Sequence, residues 1–307
     1  MNLKKILIIG SANTDMVIKT KKFPLPGETV LGTDFLMNPG GKGANQAVAA
    51  ARLGANVSLI ARVGNDVFGK QALQSYKTEG INTEYVFSDT EHPSGIALIT
   101  VDTKGENNIV VAPGANGYLS VENLKESEKL FQECEIVLIQ LEIAMETVIE
   151  AVKMASHYGK KVILNPAPAA ILPDDLLPHI YLITPNRSEI QALTNSHYLT
   201  TDGIREAANT LREKGVKNVV VTLGIQGAYI LNDEFDKLLP RVIVEAVDTT
   251  AAGDVFNGAI AVALSENLPL DKAVEFANEA AAISVTRMGA QASAPYRREI
   301  ASSPVAL

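Results

Sequence analysis

From about Ala115 onward, short apolar runs alternate with helix-length amphipathic segments, and this alternation restricts the fold more than any other feature of the chain. Ile136–Leu141, Lys161–Asn165, Tyr181–Thr184 and Asn218–Leu223 read as strands, and Met145–Tyr158 as one of the helices between them. Strands that alternate with helices pair in parallel and need a helical layer over each face of the sheet. Lys4–Gly10 and Asn56–Val63 extend the pattern into the N-terminal half as strands, with Phe68–Glu79 as a helix closed by Gly80. The expected fold class is α/β, a three-layer α/β/α sandwich with a mostly parallel central sheet.

Two stretches break the pattern. Thr14–Phe35 is punctuated by Pro24, Pro26, Gly27 and Gly32, and Tyr85–Ser88, Gly95–Asp102 and Asn108–Ala112 alternate with a period of two. These short strands are expected to pair into a small β-sheet lid, formed by about 14–35 and 95–112 and inserted into a single unit spanning 1–307. Small sheets of this kind tend to bury one face on a copy of themselves, so a homodimer through the lid is expected.

Composition removes several classes of function. A formal charge of −8 over 307 residues argues against a nucleic-acid-binding surface. The single cysteine, Cys134, excludes an internal disulfide and any multi-cysteine zinc site. No stretch approaches the roughly 18–20 apolar residues of a membrane span, and the apolar run in Met1–Gly10 is too short for a signal-peptide core. The expectation is a soluble, cytoplasmic protein, and the glycosylation-like triplets at Asn56 and Asn186 are read as chance.

Polar residues recur at the C-terminal ends of the strands: Asp15, Glu142, Asn165, Asn186, Glu189, Thr222 and Asp254. In an open α/β sheet that edge is the ligand crevice. The stretch Asp248–Gly258 is the most informative part of it, placed between an apparent strand at Arg241–Val247 and an apolar helix at Ala259–Leu264. A strand that turns through Ala251, Ala252 and Gly253 into a helix exposes backbone N–H groups to an anion. A carboxylate at Asp254 would repel that anion unless it had its own task, such as taking a proton from a hydroxyl beside a phosphate. The competing reading makes Asp248 or Asp254 an N-cap. Asn38–Gln46 carries Gly40, Gly41 and Gly43 ahead of an Ala-rich helix, and with Lys42 and Asn45 at the helix start it suits a polyhydroxy ligand. It is neither a Walker A loop nor a dinucleotide fingerprint.

Asn38-Pro-Gly-Gly-Lys-Gly-Ala-Asn-Gln46, Asp248-Thr-Thr-Ala-Ala-Gly-Asp254 and Thr184-Pro-Asn-Arg-Ser-Glu189 resemble three motifs of the ribokinase (PfkB) family of sugar kinases. Asn165–Ala169, Thr222–Gly227 and Thr286–Gln291 follow the same family pattern, so that the resemblance runs over nearly the whole chain. It implies a ribokinase-like fold and ATP-dependent phosphorylation of D-ribose at O5, giving ribose 5-phosphate and ADP. By resemblance, Asp254 is the base, and the backbone of Ala251, Ala252, Gly253 and Asp254 forms the anion hole. Asn13, Asp15, Gly41, Lys42, Asn45 and Glu142 would hold the sugar together with Asp254. Asn186, Thr222, Gly224, Gly227, Gly253 and Asn278 would hold ATP. Glu189 would organise Mg²⁺ through water, and Asp248, Thr250, Ser284, Arg287, Gly289 and Ser293 would surround K⁺, largely through backbone carbonyls. The chain departs from the family pattern at Val255, where Thr is usual, at Met288, where Lys is common, and in a shorter C-terminal segment. A kinase of another sugar or of a nucleoside, and a non-catalytic sugar-binding regulator, are the alternatives the motifs leave.

Overall fold

The computed structural model describes residues 5–196 and 200–300. In chain order the strands are β1 (Lys5–Ile9), β2 (Asn13–Thr20), β3 (Gly32–Gly40), β4 (Asn56–Gly64), β5 (Val86–Asp89), β6 (Gly95–Val101), β7 (Asn107–Ala112), β8 (Ile136–Ile139), β9 (Lys161–Leu164), β10 (Leu182–Ile183), β11 (Asn218–Thr222), β12 (Ala228–Leu231) and β13 (Asp236–Leu239). The helices are α1 (Lys42–Arg52), α2 (Val67–Thr78), α3 (Val121–Glu126), α4 (Glu128–Glu133), α5 (Met145–His157), α6 (Arg187–Thr194), α7 (Thr201–Glu213), α8 (Ala252–Ser265) and α9 (Leu270–Ser284).

Among the described residues the strands make two sheets. The larger has the order β13-β12-β11-β10-β9-β8-β1-β4-β5 and is parallel from β11 to β5, with β12 and β13 added antiparallel at one edge. Its strands are apolar on both faces because both are covered. Ile6 and Ile8 of β1 pack with α1, α2, α8 and α9, while Leu7 and Ile9 pack with the layer of α3 to α7. All four are fully buried, and each such side chain contributes roughly 1.5–3 kcal/mol. The α/β/α sandwich expected from the alternation is the architecture observed.

Strand order reverses at β1: β4 and β5 lie to one side, and β8 to β11 to the other. The chain therefore leaves β1 and β8 in divergent directions and opens a crevice beyond their C-terminal ends. The second sheet, order β3-β2-β6-β7, stands over that crevice. Its β2–β3 pair runs on to Gly40, so that Asn38-Pro39-Gly40, read as part of a glycine loop, closes a strand leading straight into α1.

Two assignments made from the sequence are corrected. The strand near Tyr85–Ser88 does not join the small sheet, because β5 pairs in parallel with β4 at the edge of the large one. It follows α2 as an ordinary strand–helix–strand crossover, which periodicity over so few residues does not reveal. Arg241–Val247 is not a strand: it alternates but pairs with no other strand among the described residues, and Val242, Ile243 and Val247 remain exposed. Among the described residues no helix is long and apolar enough to cross a membrane.

Candidate active site

The site is assembled by a close helix pair. Helix α1 is rich in alanine on its buried face (Ala44, Ala47, Ala49 and Ala50), and Gly258 of α8 packs against it. One turn earlier on each helix, this approach puts the Asn45 and Gln46 amides beside the Asp254 carboxylate. Asn45 Nδ2 donates to Asp254 Oδ2 at 2.9 Å, and Gln46 Nε2 donates to Oδ1 at 3.0 Å. Asp254 is almost completely buried. Burial raises its pKa above the ordinary carboxylate value, opposed by the nearby Lys42 ammonium and the two amide hydrogen bonds. A carboxylate held in this way is a stronger base than one in water, and its geometry is fixed.

The N-cap residue of α8 is Ala251, whose φ of 59° is left-handed and unusual for a residue with a side chain. No side chain caps it, so the N-cap reading of Asp248 and Asp254 does not hold for this helix. Asp248 instead accepts from the Thr250 and Gly289 N–H groups at 2.9 and 2.8 Å and braces the preceding loop. Of the first N–H groups of α8, that of Ala252 donates to the Thr249 carbonyl at 3.3 Å and that of Val255 to the Ala251 carbonyl at 2.9 Å, so those of Gly253 and Asp254 give the positive end of the helix to a ligand.

Two cavities meet at this helix end. The larger, about 770 Å³, is lined by Asn13, Asp15, Gly41, Lys42, Asn45, Glu142 and Asp254 together with Ala97, Ile99, Ile109 and Val111 of the small sheet. The smaller, about 220 Å³, is lined by Asn186, Glu189, Thr222, Ala251, Ala252, Gly253 and Asp254. Lys42, Glu189, Ala251 and Asp254 border both.

In the larger cavity the polar groups are already oriented. Asn116 donates to Asn13 Oδ1 at 2.7 Å, which leaves the Asn13 amide nitrogen to donate to a ligand. Asn45 Oδ1 is buried without a hydrogen-bond partner among the described residues. Glu142 Oε2 accepts from Ser11 Oγ at 2.5 Å and from the Lys42 N–H at 3.1 Å, so it also caps α1 from across the sheet. Burial, with the charges of Glu142 and Asp254, raises the Asp15 pKa to about 6. Burial lowers the affinity of Lys42 for its proton, but the surrounding carboxylates outweigh this and its pKa is raised. Lys42 therefore stays charged among Asp15, Glu142 and Asp254.

The smaller cavity contains a closed capping box. Asn186 Oδ1 accepts from the Glu189 N–H, and the Glu189 carboxylate accepts from the Asn186 backbone and side-chain nitrogens at 2.8 Å each. Burial raises the Glu189 pKa. Gly224 and Gly227 do not line this cavity. Gly227, at φ 98°, is required by the turn into β12, where a Cβ would lie 2.1 Å from the Leu239 carbonyl oxygen. Asn278 sits on α9 with its amide 3.4 Å from the Pro240 carbonyl, also away from both cavities. Ser284 and Ser293 turn their hydroxyls back onto the carbonyls of Ala281 and Ala290, and Arg287 pairs with Glu299. Sequence reasoning missed Ser11, Gln46, Gln140, Asn116 and Asn257, which orient the residues it did identify. Of these, Gln46 lay within the Asn38–Gln46 motif and Asn257 within the Asp248–Gly258 stretch, and the others had no such signal.

The profile of the pfkB family carbohydrate kinases matches residues 3–297. The chain belongs to the pfkB carbohydrate kinase family. It is 42% identical over 296 residues to the ribokinase of Haemophilus influenzae, covering 96% of this chain and 97% of the relative. It is 37% identical over 291 residues to the deoxyribokinase of Salmonella typhi, covering 94% and 95%. The solved structure of Arabidopsis thaliana ribokinase complexed with ribose and ATP superposes with a TM-score of 0.88 at 30% identity, covering 97% of each chain. The matched segment contains every residue of the two cavities.

Proposed function

We propose that this chain transfers the terminal phosphoryl group of ATP to the O5 hydroxyl of D-ribose. The observation that carries this reading is the placement of Asp254. It lies where a polar cavity lined by oriented donors and acceptors meets the uncapped N-terminus of α8. The larger cavity takes the sugar, with Asn13 and Lys42 donating and Asp15, Asn45 and Glu142 accepting. The smaller takes the phosphates, with Asn186, Thr222 and Gly253 along its wall. Asp254 removes the O5 proton as the oxygen attacks phosphorus, and the first N–H groups of α8 stabilise the charge on the transferring group. Gly224, Gly227 and Asn278 would hold the nucleotide's ribose and base where it extends out of the cavity.

Magnesium fits the chemistry of the smaller cavity in an indirect way. Both Glu189 oxygens already accept from Asn186, so Glu189 would reach the ion through water, and the ion would neutralise charge on the phosphates. For potassium, the loops holding Asp248, Thr250 and Gly289 are tied together. The hydroxyls of Ser284 and Ser293 are turned away, a donor set that leaves backbone carbonyls as ligands. ATP chemistry and the single buried thiol of Cys134 suit the cytoplasm.

The decisive assay is ADP release from ATP with Mg²⁺ and K⁺ across ribose, deoxyribose, fructose and adenosine. The expected result is ribose-dependent turnover whose KM rises as pH falls through about 6, where Asp15 takes up its proton and becomes a weaker acceptor for the sugar hydroxyls. Deoxyribose is the second reading, favoured by the similarity to a deoxyribokinase. A preference for deoxyribose would overturn the ribose assignment within the same family. Sugar binding without turnover on any substrate would favour a regulator.

The small sheet is read as a lid that also carries the subunit contact. Its inner face lines the larger cavity, while Ile18, Phe35, Met37, Leu98 and Val110 alternate onto the outer face and are exposed. A run of that kind calls for a partner, and a second lid supplies one. Light scattering during size exclusion should report a dimer for the wild type and a monomer for Leu98→Asp. A wild-type monomer at micromolar concentration would sink the dimer.

A further inference from the structure

We propose that Gln46 is a positioning residue for the base, and that Gln140 sets which end of the Gln46 amide faces Asp254. This rests on Asp254 being the base. Neither glutamine needs to touch substrate, and both are fully buried.

Hydrogen-bond polarity decides which way the Gln46 amide is turned. An ionised carboxylate only accepts, so Gln46 must present its NH₂ to Asp254. The second hydrogen of that NH₂ goes to Asn165 Oδ1 at 3.0 Å. Asn165 presents its oxygen there because its own NH₂ donates to the Thr184 carbonyl at 3.2 Å. The Gln46 oxygen then needs a donor, which Gln140 Nε2 supplies at 2.5 Å. Gln140 lies immediately after β8 and fits only because residue 10 is glycine, where a Cβ would come within 2.0 Å of Gln140 Oε1. Asn165 at the end of β9 thus fixes one amide on α1, Gln140 after β8 donates to its oxygen although Gln140 Oε1 is itself buried without a partner among the described residues, and that amide fixes a carboxylate on α8. Thr184 Oγ1 donates to Asn257 Oδ1, whose amide donates to the Gly253 carbonyl, so the same network also holds the first turn of α8.

Without the Gln46 donor, Oδ1 of a buried carboxylate loses its hydrogen bond. Its ionised form is then less favoured, and the carboxyl group is freer to turn. The charged groups that also face Asp254 are Lys42 on α1, Glu142 after β8, Asp15 on β2 and Glu189 on α6. All four would be unchanged in the variants, so a shift in titration reports the amide.

The test is the single-turnover rate of phosphoryl transfer as a function of pH for wild type, Gln46→Met, Gln140→Met and Asp254→Asn. Gln46→Met should lose about 10–100-fold near neutral pH, regain much of it at alkaline pH and show an acid limb displaced to higher pH. Its ribose KM should stay within about threefold, because the lost contact is not made to the sugar. Gln140→Met should show a smaller displacement in the same direction, and it carries the test alone if Gln46→Met does not fold. A loss equal at every pH, or an acid limb unmoved in both variants, overturns the proposal while leaving the base in place. Substantial transfer by Asp254→Asn would instead overturn the base assignment itself.

Discussion

Asparagine in place of Asp254 is expected to lower kcat by about 10³-fold, with ribose and ATP binding retained to within a few fold. The side chain keeps its size and one acceptor oxygen but loses the ability to take a proton. It also inverts one hydrogen bond, because Asn45 and Gln46 both donate to the carboxylate and an amide can accept only on its oxygen. One of those two residues must then move or go unpaired. Some of the damage is therefore geometric, and a melting curve close to that of the wild type would limit that share. A kcat within tenfold of wild type would remove Asp254 from the chemistry and leave the cavity as a binding site. Glu142→Gln is the informative comparison. It leaves the base intact but weakens the acceptor for Ser11 and for the α1 N-terminus, so its main effect should fall on KM.

The features legible in the sequence are those set by local pattern. Alternation of apolar runs and helices specified a covered parallel sheet, and small residues at Ala251, Ala252 and Gly253 marked an open helix start. Polar residues at strand ends marked the crevice, and Asp15, Glu142 and Asp254 do line one cavity. Features that depend on which segment becomes a neighbour were not legible. Arg241–Val247 alternates as well as a true strand does, yet it pairs with no strand among the described residues. Val86–Asp89 looks like its successors in the small sheet but pairs with β4. Gln46 and Gln140 are 94 positions apart, and nothing local to either shows that they share a hydrogen bond. Ala251 takes a left-handed conformation that favours glycine, so the chain hides the turn where a glycine would have advertised it. Gly224 and Gly227 show the reverse: the resemblance made them ATP contacts, while for Gly227 the backbone turn is already a sufficient reason for a glycine.

Gly258→Ala is the second change with a large expected effect, and helix propensity gives it the wrong sign. In the middle of an exposed helix, alanine in place of glycine stabilises by about 1 kcal/mol. At this position an added Cβ would lie 2.8 Å from Ala49 Cβ and 2.8 Å from the Gln46 carbonyl oxygen. Neither neighbour is the end of a flexible side chain, so α1 and α8 must separate. Overpacking of this kind costs about 1–3 kcal/mol, enough to outweigh the propensity gain, and the variant should melt below the wild type. The same separation draws Asn45 and Gln46 away from Asp254, because each pair sits one turn along from the contact. Activity should fall by about tenfold or more even where the protein is fully folded, since displacements of around 1 Å at a reacting group carry costs of that order. Small enlargements elsewhere on α8 should not show this pairing of lost stability with lost turnover. A Gly258→Ala protein that melts higher than wild type and turns over normally would mean that the helix pair has slack. The geometry of the base would then owe less to the α1–α8 contact than the hydrogen bonds indicate.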